Sequence, residues 1–349
     1  MNANTPFVPA RVVEQQHHYY TVAAPDGIHM AARVSGAFEY RVASRSEYPS
    51  IGDAVLVERA KSLDSQAAGS NTALIQQVLP RASVLQRLNP GGSTESQAIA
   101  ANVDVALVVL ALDGGRAFTA GLLLRLLTTV YAGGIRPVVV LNKCDCAEEQ
   151  IIQQVTSTAH ENAPEVSVHV VSAHTGAGLP GLCKEWSANQ TVCLLGASGV
   201  GKSSLLNALA GRQLEREGAV RADHRGRHTT THKKLYPLAD GSSLIDLPGI
   251  RELQLWANED AVTDSFPEIA ELSMDCRFDD CSHTGEPGCA VQDALSSGML
   301  SPERYDRYLE LQREAAYVRR RVDQRAQAEE QRRWKQISRD QRSFRRRGT

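Results

Sequence analysis

The chain of 349 residues contains no run of about 18 consecutive apolar residues, which leaves no candidate for a transmembrane helix. Its first residues, MNANTPFVPARVVEQ, lack the charged-then-apolar pattern of an export signal. In that context the seven cysteines, an odd number, read as thiols or metal ligands rather than disulfides, and the expected compartment is the cytoplasm. Aromatic residues are scarce, at 5%, and nowhere form an obvious platform for stacking bases. Net charge is nearly absent at −2, but it is unevenly placed. From Gln331 to the end, eight Lys or Arg accompany one acid, Asp340, so an acidic body carries a basic tail. The remaining composition, 42% apolar and 22% charged, is ordinary for a soluble globular protein with room for two or three domains.

What is present begins with Gly196 to Ser204, GASGVGKSS. An apolar run, Thr191 to Leu195, precedes it and a helix-like segment from Ser204 follows, giving strand, glycine loop and helix. Backbone N–H groups of Gly196, Ala197, Ser198, Gly199, Val200 and Gly201 are expected to cradle phosphate oxygens, aided by the helix N-terminus. Lys202 is expected to reach the β- and γ-phosphates and the Ser203 hydroxyl to bind Mg²⁺, with Ser204 completing the loop.

Upstream, residues 8 to 87 read as several short strands, two of them flanking the turn Pro25-Asp26-Gly27. That pattern suggests a small closed barrel, of which the five-stranded OB type is one. Tyr19, Tyr20, Phe38 and Tyr40 are its aromatics, and core packing is the expected use for at least half of them. After a linker at Asn89 to Ser93 the pattern alternates: strands Asp104–Leu112, Val138–Leu141 and Val166–Val171, helices Thr119–Tyr131, Glu148–His160 and Leu179–Ser187. Leu122, Leu123, Leu126 and Leu127 are expected to face inward, and Ser243–Asp246 reads as a further strand. The fold class expected is multidomain: an all-β OB-like barrel over 1–88, a doubly wound α/β domain over 89–255, and a third domain over 256–349.

Three motifs at strand ends select the nucleotide. Asn142-Lys143-Cys144-Asp145 supplies a carboxylate, Asp145, that accepts two hydrogen bonds from the guanine edge, a donor pair adenine lacks. Asn142 would tie this loop to the phosphate loop, and the Lys143 stem would cover the base. Ser172-Ala173 offers a backbone donor to guanine O6. Asp246-Leu247-Pro248-Gly249 is an Asp-x-x-Gly in which Asp246 holds Mg²⁺ through water and the Gly249 N–H senses the γ-phosphate. Thr229-Thr230-Thr231 would supply the Mg²⁺-binding threonine, with Thr230 and Thr231 the candidates carried forward. Together these make GTP, with Mg²⁺, the expected ligand.

The order is permuted: the guanine-reading motifs precede the phosphate loop. A site survives such rearrangement when the original termini lie close together. The segment after Gly249 then runs directly into the following domain, which suggests mechanical coupling. Identical hydrogen exchange beyond residue 256 with GDP and a non-hydrolysable GTP analogue would remove that idea.

Cys276, Cys281, His283 and Cys289 give Cys-x₄-Cys-x-His-x₅-Cys, three thiolates and one imidazole within fourteen residues. This matches a closed, four-coordinate structural zinc site holding one ion. Cys144, Cys146, Cys183 and Cys193 show no ligand spacing.

These motifs, with Gln97 to Asp104, Gly226-Arg227-His228-Thr229-Thr230-Thr231 and Asp246 to Glu252, resemble the RsgA (YjeQ) family of circularly permuted GTPases that assist ribosome biogenesis. The resemblance covers roughly residues 8 to 320. It implies an OB barrel, a GTPase, a C-terminal zinc domain, docking on the 30S subunit and its 16S rRNA during late maturation, and hydrolysis stimulated by that particle. Many GTPases orient the attacking water with a Gln after Asp-x-x-Gly; here Ile250 occupies that place. The resemblance favours His228 instead, with Lys202 and Thr230 beside it as the catalytic set. Partner stimulation in other GTPases reaches about 10⁵-fold, so slow intrinsic turnover is expected.

Pro302 to Tyr317 has helical spacing, with Tyr305, Tyr308, Leu309 and Gln312 on one face, and the Arg-rich tail beyond it suits RNA phosphates or a solvated end. Two function classes fit: a ribosome-activated GTPase, expected to be monomeric and off the membrane, or an RNA-binding checkpoint module in which GTP is a conformational ligand. An ATP-using phosphotransferase on the same loop is a third, and it fails if GDP binds tightly and ADP does not.

Overall fold

In a computed structural model the protein is described over residues 7–16, 18–42, 44–59, 72–88, 96–113, 118–214, 233–247 and 259–320. It divides into two compact units, residues 1–87 with 97–255, and residues 88–96 with 256–349. None of its described helices is long and apolar enough to cross a membrane.

The first unit opens with β1 (Val8–Gln16), β2 (Tyr19–Ala23) and β3 (His29–Val34), followed by a short helix α1 (Gly36–Arg41), β4 (Ala54–Arg59) and β5 (Thr72–Val78). Alternation along β1 to β5 buries one face, with Val12, Tyr20, Val22, Met30, Val55, Val57 and Ile75 in the core. The strands pair in the order β1-β2-β3-β5-β4, and β1 also pairs with β4, which closes the barrel. β3 and β5 run parallel and the other pairs antiparallel. Of the four aromatics read from the sequence, Tyr20 and Phe38 are buried and Tyr19 and Tyr40 exposed. The α1 helix was not legible in advance; Ser35 caps it by accepting from the Phe38 N–H.

Past β6 (Val84–Leu88) and β7 (Ser96–Ala101), the α/β part comprises β8 (Val105–Ala111), α2 (Ala120–Ala132), β9 (Arg136–Asn142), α3 (Glu149–Asn162) and β10 (Val168–Val170). Then come α4 (Leu179–Leu182), β11 (Thr191–Leu195), α5 (Lys202–Ala210), β12 (Lys233–Pro237) and β13 (Ser243–Asp246). Its strand order is β10-β9-β8-β11-β13-β12, parallel except for β12. Every residue of β8 is buried, as a parallel strand covered on both faces requires. Leu126, Leu127 and Val130 of α2 cover one face of the sheet, and Leu205 and Leu206 of α5 the other. Each such leucine stabilises the fold by roughly 1.5–3 kcal/mol.

Two readings change here. The buried residues of α2 include Leu124 beside the expected Leu123, Leu126 and Leu127, while Leu122 is only partly buried against the core. The expected helix Leu179–Ser187 is one α turn followed by a 3-10 turn, Cys183–Glu185, its start marked by Gly178 and Pro180.

The barrel and the α/β sheet are one hydrogen-bonded sheet of eleven strands, joined where β1 pairs with β12. A bulge between Val12 and Glu14 lets β1 serve both: residues 8–11 pair with β4, and Glu14 and Gln15 pair with Lys234 and Lys233. Val12 consequently packs in the barrel core and Val13 against the α/β core. Glycine is required beside this joint: a Cβ on Gly52, at φ 87°, would lie 2.2 Å from the Ala101 carbonyl oxygen. Lys233 Nζ donates to Gln15 Oε1 at 3.2 Å, and burial, with Arg87 nearby, pushes its ammonium down to about 7.

The second unit is helical, with α6 (Glu259–Asp264), α7 (Pro267–Met274), α8 (Ala290–Ser297) and a helix, α9, over residues 302–320. Tyr305, Tyr308, Leu311 and Ala315 form the buried stripe of α9, whereas Leu309 and Gln312 are partly exposed. Arg304 lies 4.2 Å over the Phe266 ring and binds Glu268 at 2.6 Å, fixing α9 to α7.

Candidate functional sites

The glycine loop leaves β11 at Leu195 and enters α5 at Lys202, at the carboxyl ends of the parallel strands. Lys202 is buried, and its Nζ donates to the carbonyl oxygens of Gly196 at 2.9 Å and Ala197 at 2.8 Å. Burial lowers its pKa, opposed by the charge of Asp246 at the end of neighbouring β13. The lysine is thus held inside the loop, facing the strand that carries the candidate Mg²⁺ carboxylate. Ser198 and Gly199 are exposed at the tip, Val200 packs in the core, and Ser203 and Ser204 begin the helix half-buried.

Asn142 ends β9 and is 1% exposed. Its Nδ2 donates to the Val200 carbonyl oxygen at 2.9 Å, and its Oδ1 accepts the Ala173 N–H at 3.0 Å. One side chain therefore ties its own loop to the Ser172-Ala173 segment and to the phosphate loop. Gly201 makes that approach possible: at φ 93°, a Cβ there would lie 2.4 Å from Asn142 Nδ2. The Ala173 N–H, expected to meet a guanine O6, instead donates to Asn142 in this arrangement.

Lys143 follows in the left-handed region, φ 67°, and opens a 3-10 turn, Cys144–Cys146. That turn presents Asp145, whose exposed carboxylate is held below its ordinary pKa first by the Ser172 hydroxyl. Ser172 is itself buried and accepts the Thr175 N–H at 3.0 Å. Sequence reasoning missed Asp113, whose Oδ2 lies 2.5 Å from Lys143 Nζ. Its only signal was position, just past the end of β8 and beside the end of β9. His228, Thr229, Thr230, Thr231 and Gly249, and the tail beyond residue 320, lie outside the described residues.

In the second unit the donor atoms of Cys276, Cys281, His283 and Cys289 all lie within 4.8 Å of one another. The Cys276 and Cys289 sulfurs are 3.9 Å apart, and His283 Nδ1 is 3.6 Å and 3.5 Å from them. Tetrahedral coordination with ordinary zinc bond lengths gives edges of about 3.8 Å between sulfurs and about 3.5 Å from sulfur to nitrogen. The group fits one metal ion. Ser273 Oγ lies 3.0 Å from His283 Nε2, leaving Nδ1 to face the sulfurs, and Tyr305 and Gln292 both donate to the His283 carbonyl oxygen. These three supports come from α7, α8 and α9, and no ligand-spacing rule would have found them.

Comparison with known proteins agrees with this architecture. The sequence pattern of the RsgA GTPase family matches residues 78–256. The Small ribosomal subunit biogenesis GTPase RsgA of Opitutus terrae is 40% identical, over 98% of this chain and 92% of its own length. Among solved structures, YjeQ from Thermotoga maritima has a TM-score of 0.64 at 25% identity, covering 89% of this chain and 99% of that one. YloQ, described as a circularly permuted GTPase, has a TM-score of 0.61 at 25% identity, covering 90% and 97%.

Proposed function

The chain belongs to the RsgA GTPase family, and on that premise we propose that it binds the 30S ribosomal subunit and acts in its late maturation. It is a GTP-hydrolysing enzyme of ribosome biogenesis. In the proposed cycle the 30S particle and its 16S rRNA stimulate hydrolysis of GTP to GDP and phosphate, and hydrolysis releases the protein. It works as a monomer in the cytoplasm.

The proposed GTP site comprises Asn142 to Asp145, Ser172 and Ala173, the loop Gly196 to Ser204, Asp246 and Gly249. Mg²⁺ is assigned to Ser203, Asp246 and a threonine among Thr230 and Thr231. His228, Lys202 and Thr230 form the proposed catalytic set, and a structural zinc ion is assigned to Cys276, Cys281, His283 and Cys289. The proposed division of labour is a barrel over 1–88, a GTPase over 89–255 and a zinc domain over 256–349.

The observation that supports a guanine nucleotide most directly is Asn142, which bonds both the phosphate loop and Ala173. The test is phosphate release from GTP titrated with purified 30S particles, with ATP as control. Slow release alone and strong stimulation by 30S is expected. Absence of stimulation favours the checkpoint reading, in which GTP is a conformational ligand. Equal hydrolysis by His228→Ala and wild type, with 30S present, removes His228 from the mechanism.

A further inference from the structure

We propose that Asp113 is a positioning residue of the nucleotide site, which pins the Lys143 side chain across the face where the base binds. The proposal rests on the guanine reading of Asn142 to Asp145.

Three observations carry it. Neighbouring strands bring the two residues together: β8 and β9 pair in parallel with Ala111 opposite Asn142, and the Leu112 N–H donates to the Asn142 carbonyl oxygen at 2.9 Å. The chain past each strand end therefore emerges side by side. Second, Asp113 Oδ2 meets Lys143 Nζ at 2.5 Å, with side-chain exposures of only 33% and 24%. Third, the lysine stem runs beside the phosphate loop, since a Cβ on Gly201 would lie 3.8 Å from Lys143 Cε. Backbone at φ 67° fixes where this stem starts, and Asp113 fixes where it ends.

A free lysine side chain samples many rotamers, and a bound base must restrict them. Tethering Nζ settles that restriction before the nucleotide arrives, so the four methylenes form a ready apolar surface for one face of the purine. The carboxylate also neutralises the ammonium at the base end of the site, leaving Lys202 to attract the phosphates. Neither effect needs Asp113 to touch the nucleotide.

The experiment measures dissociation of a fluorescent N-methylanthraniloyl-GDP from the full chain. Asp113→Asn is expected to speed dissociation about fivefold, the scale of a partly exposed ion pair. Lys143→Met, which keeps the stem and loses the charge, is expected to do the same, and adding Asp113→Asn to it should change nothing further. Raising KCl should speed dissociation more from wild type than from Asp113→Asn, because the variant has no ion pair at this position left to screen. Asp113→Glu should recover part of the loss. Additive effects in the double variant, or an unchanged rate in both single variants, overturn the proposal. Should Asp113→Asn fail to fold, an unchanged rate in Lys143→Met alone overturns it. The guanine reading is tested apart: Asp145→Asn should shift preference from GDP to xanthosine diphosphate, and without that shift the guanine reading itself falls.

Discussion

Asn142 Nδ2 donates to the Val200 carbonyl oxygen at 2.9 Å across 58 residues of sequence. Its Oδ1 takes the Ala173 N–H, so both halves of one buried amide are used. Asn142→Ala leaves the Val200 acceptor and the Ala173 donor without that partner, at about 1–3 kcal/mol for the buried Val200 carbonyl. Part of that loss appears in stability and part in the geometry of the nucleotide site. GDP affinity measured by titration calorimetry is expected to fall at least tenfold. An unchanged affinity would mean the three segments hold their places without Asn142.

The Cys₃His group makes a prediction about order of unfolding. A structural zinc ion contributes on the order of 10 kcal/mol to the unit it closes. The second unit is built from helices around the group, with His283 held by Ser273, Tyr305 and Gln292. Chelation, or Cys289→Ala, should expose residues 259–320 to trypsin while GDP binding persists in the first unit. Loss of GDP binding in step with loss of metal would show instead that the nucleotide site depends on the metal.

Tyr20 gives the barrel a pH signature. It is 4% exposed, and burial, with Tyr48 and Asp53 nearby, pushes its phenol up to about 12. The unfolded chain then loses this proton before the folded one does. The stability Tyr20 contributes is fully present below pH 10 and is lost as pH rises towards 12. Across that window the loss amounts to about 2–3 kcal/mol. Tyr20→Phe, with no proton to lose, should show a flatter alkaline limb in urea midpoints taken from pH 9 to about 12. Identical limbs for the two proteins would contradict the assignment.

The sequence made some features legible and hid others for physical reasons. Gly196 to Ser204 and the four metal ligands were readable because their chemistry demands fixed residue types at fixed spacing. The apolar run of β8 was readable because a strand covered on both faces tolerates nothing else. β12 was hidden: its Lys233-Lys234 start resembles a loop, and its partner β1 lies more than 200 residues away. The join between barrel and α/β sheet depends on that pairing and on the bulge in β1, neither of which leaves a local pattern. Asp113 was hidden likewise, since its role depends on the register of β8 against β9. The α2 stripe was read correctly at Leu123, Leu126 and Leu127, whereas Leu124 was missed and Leu122 is only partly buried.

A last prediction concerns the barrel beside the join. Arg81 grips Asp53 with two bonds of 2.8 Å, Nε to Oδ1 and Nη2 to Oδ2. Its remaining donors bind the carbonyl oxygens of Ser46 and Tyr48, so one guanidinium staples residues 46–53. Asp53 is fully buried and also accepts the Ser50 N–H at 2.7 Å. Arg81→Met keeps the volume but strands a buried carboxylate, which costs about 3–5 kcal/mol in comparable pairs. Asp53→Asn in that background removes the charge while retaining an acceptor for Ser50, and should recover much of the loss. Urea unfolding of the two single variants and the double variant measures this directly. A double variant no more stable than Arg81→Met would show that the arginine acts through its carbonyl contacts, with Ser46 and Tyr48, rather than by neutralising Asp53.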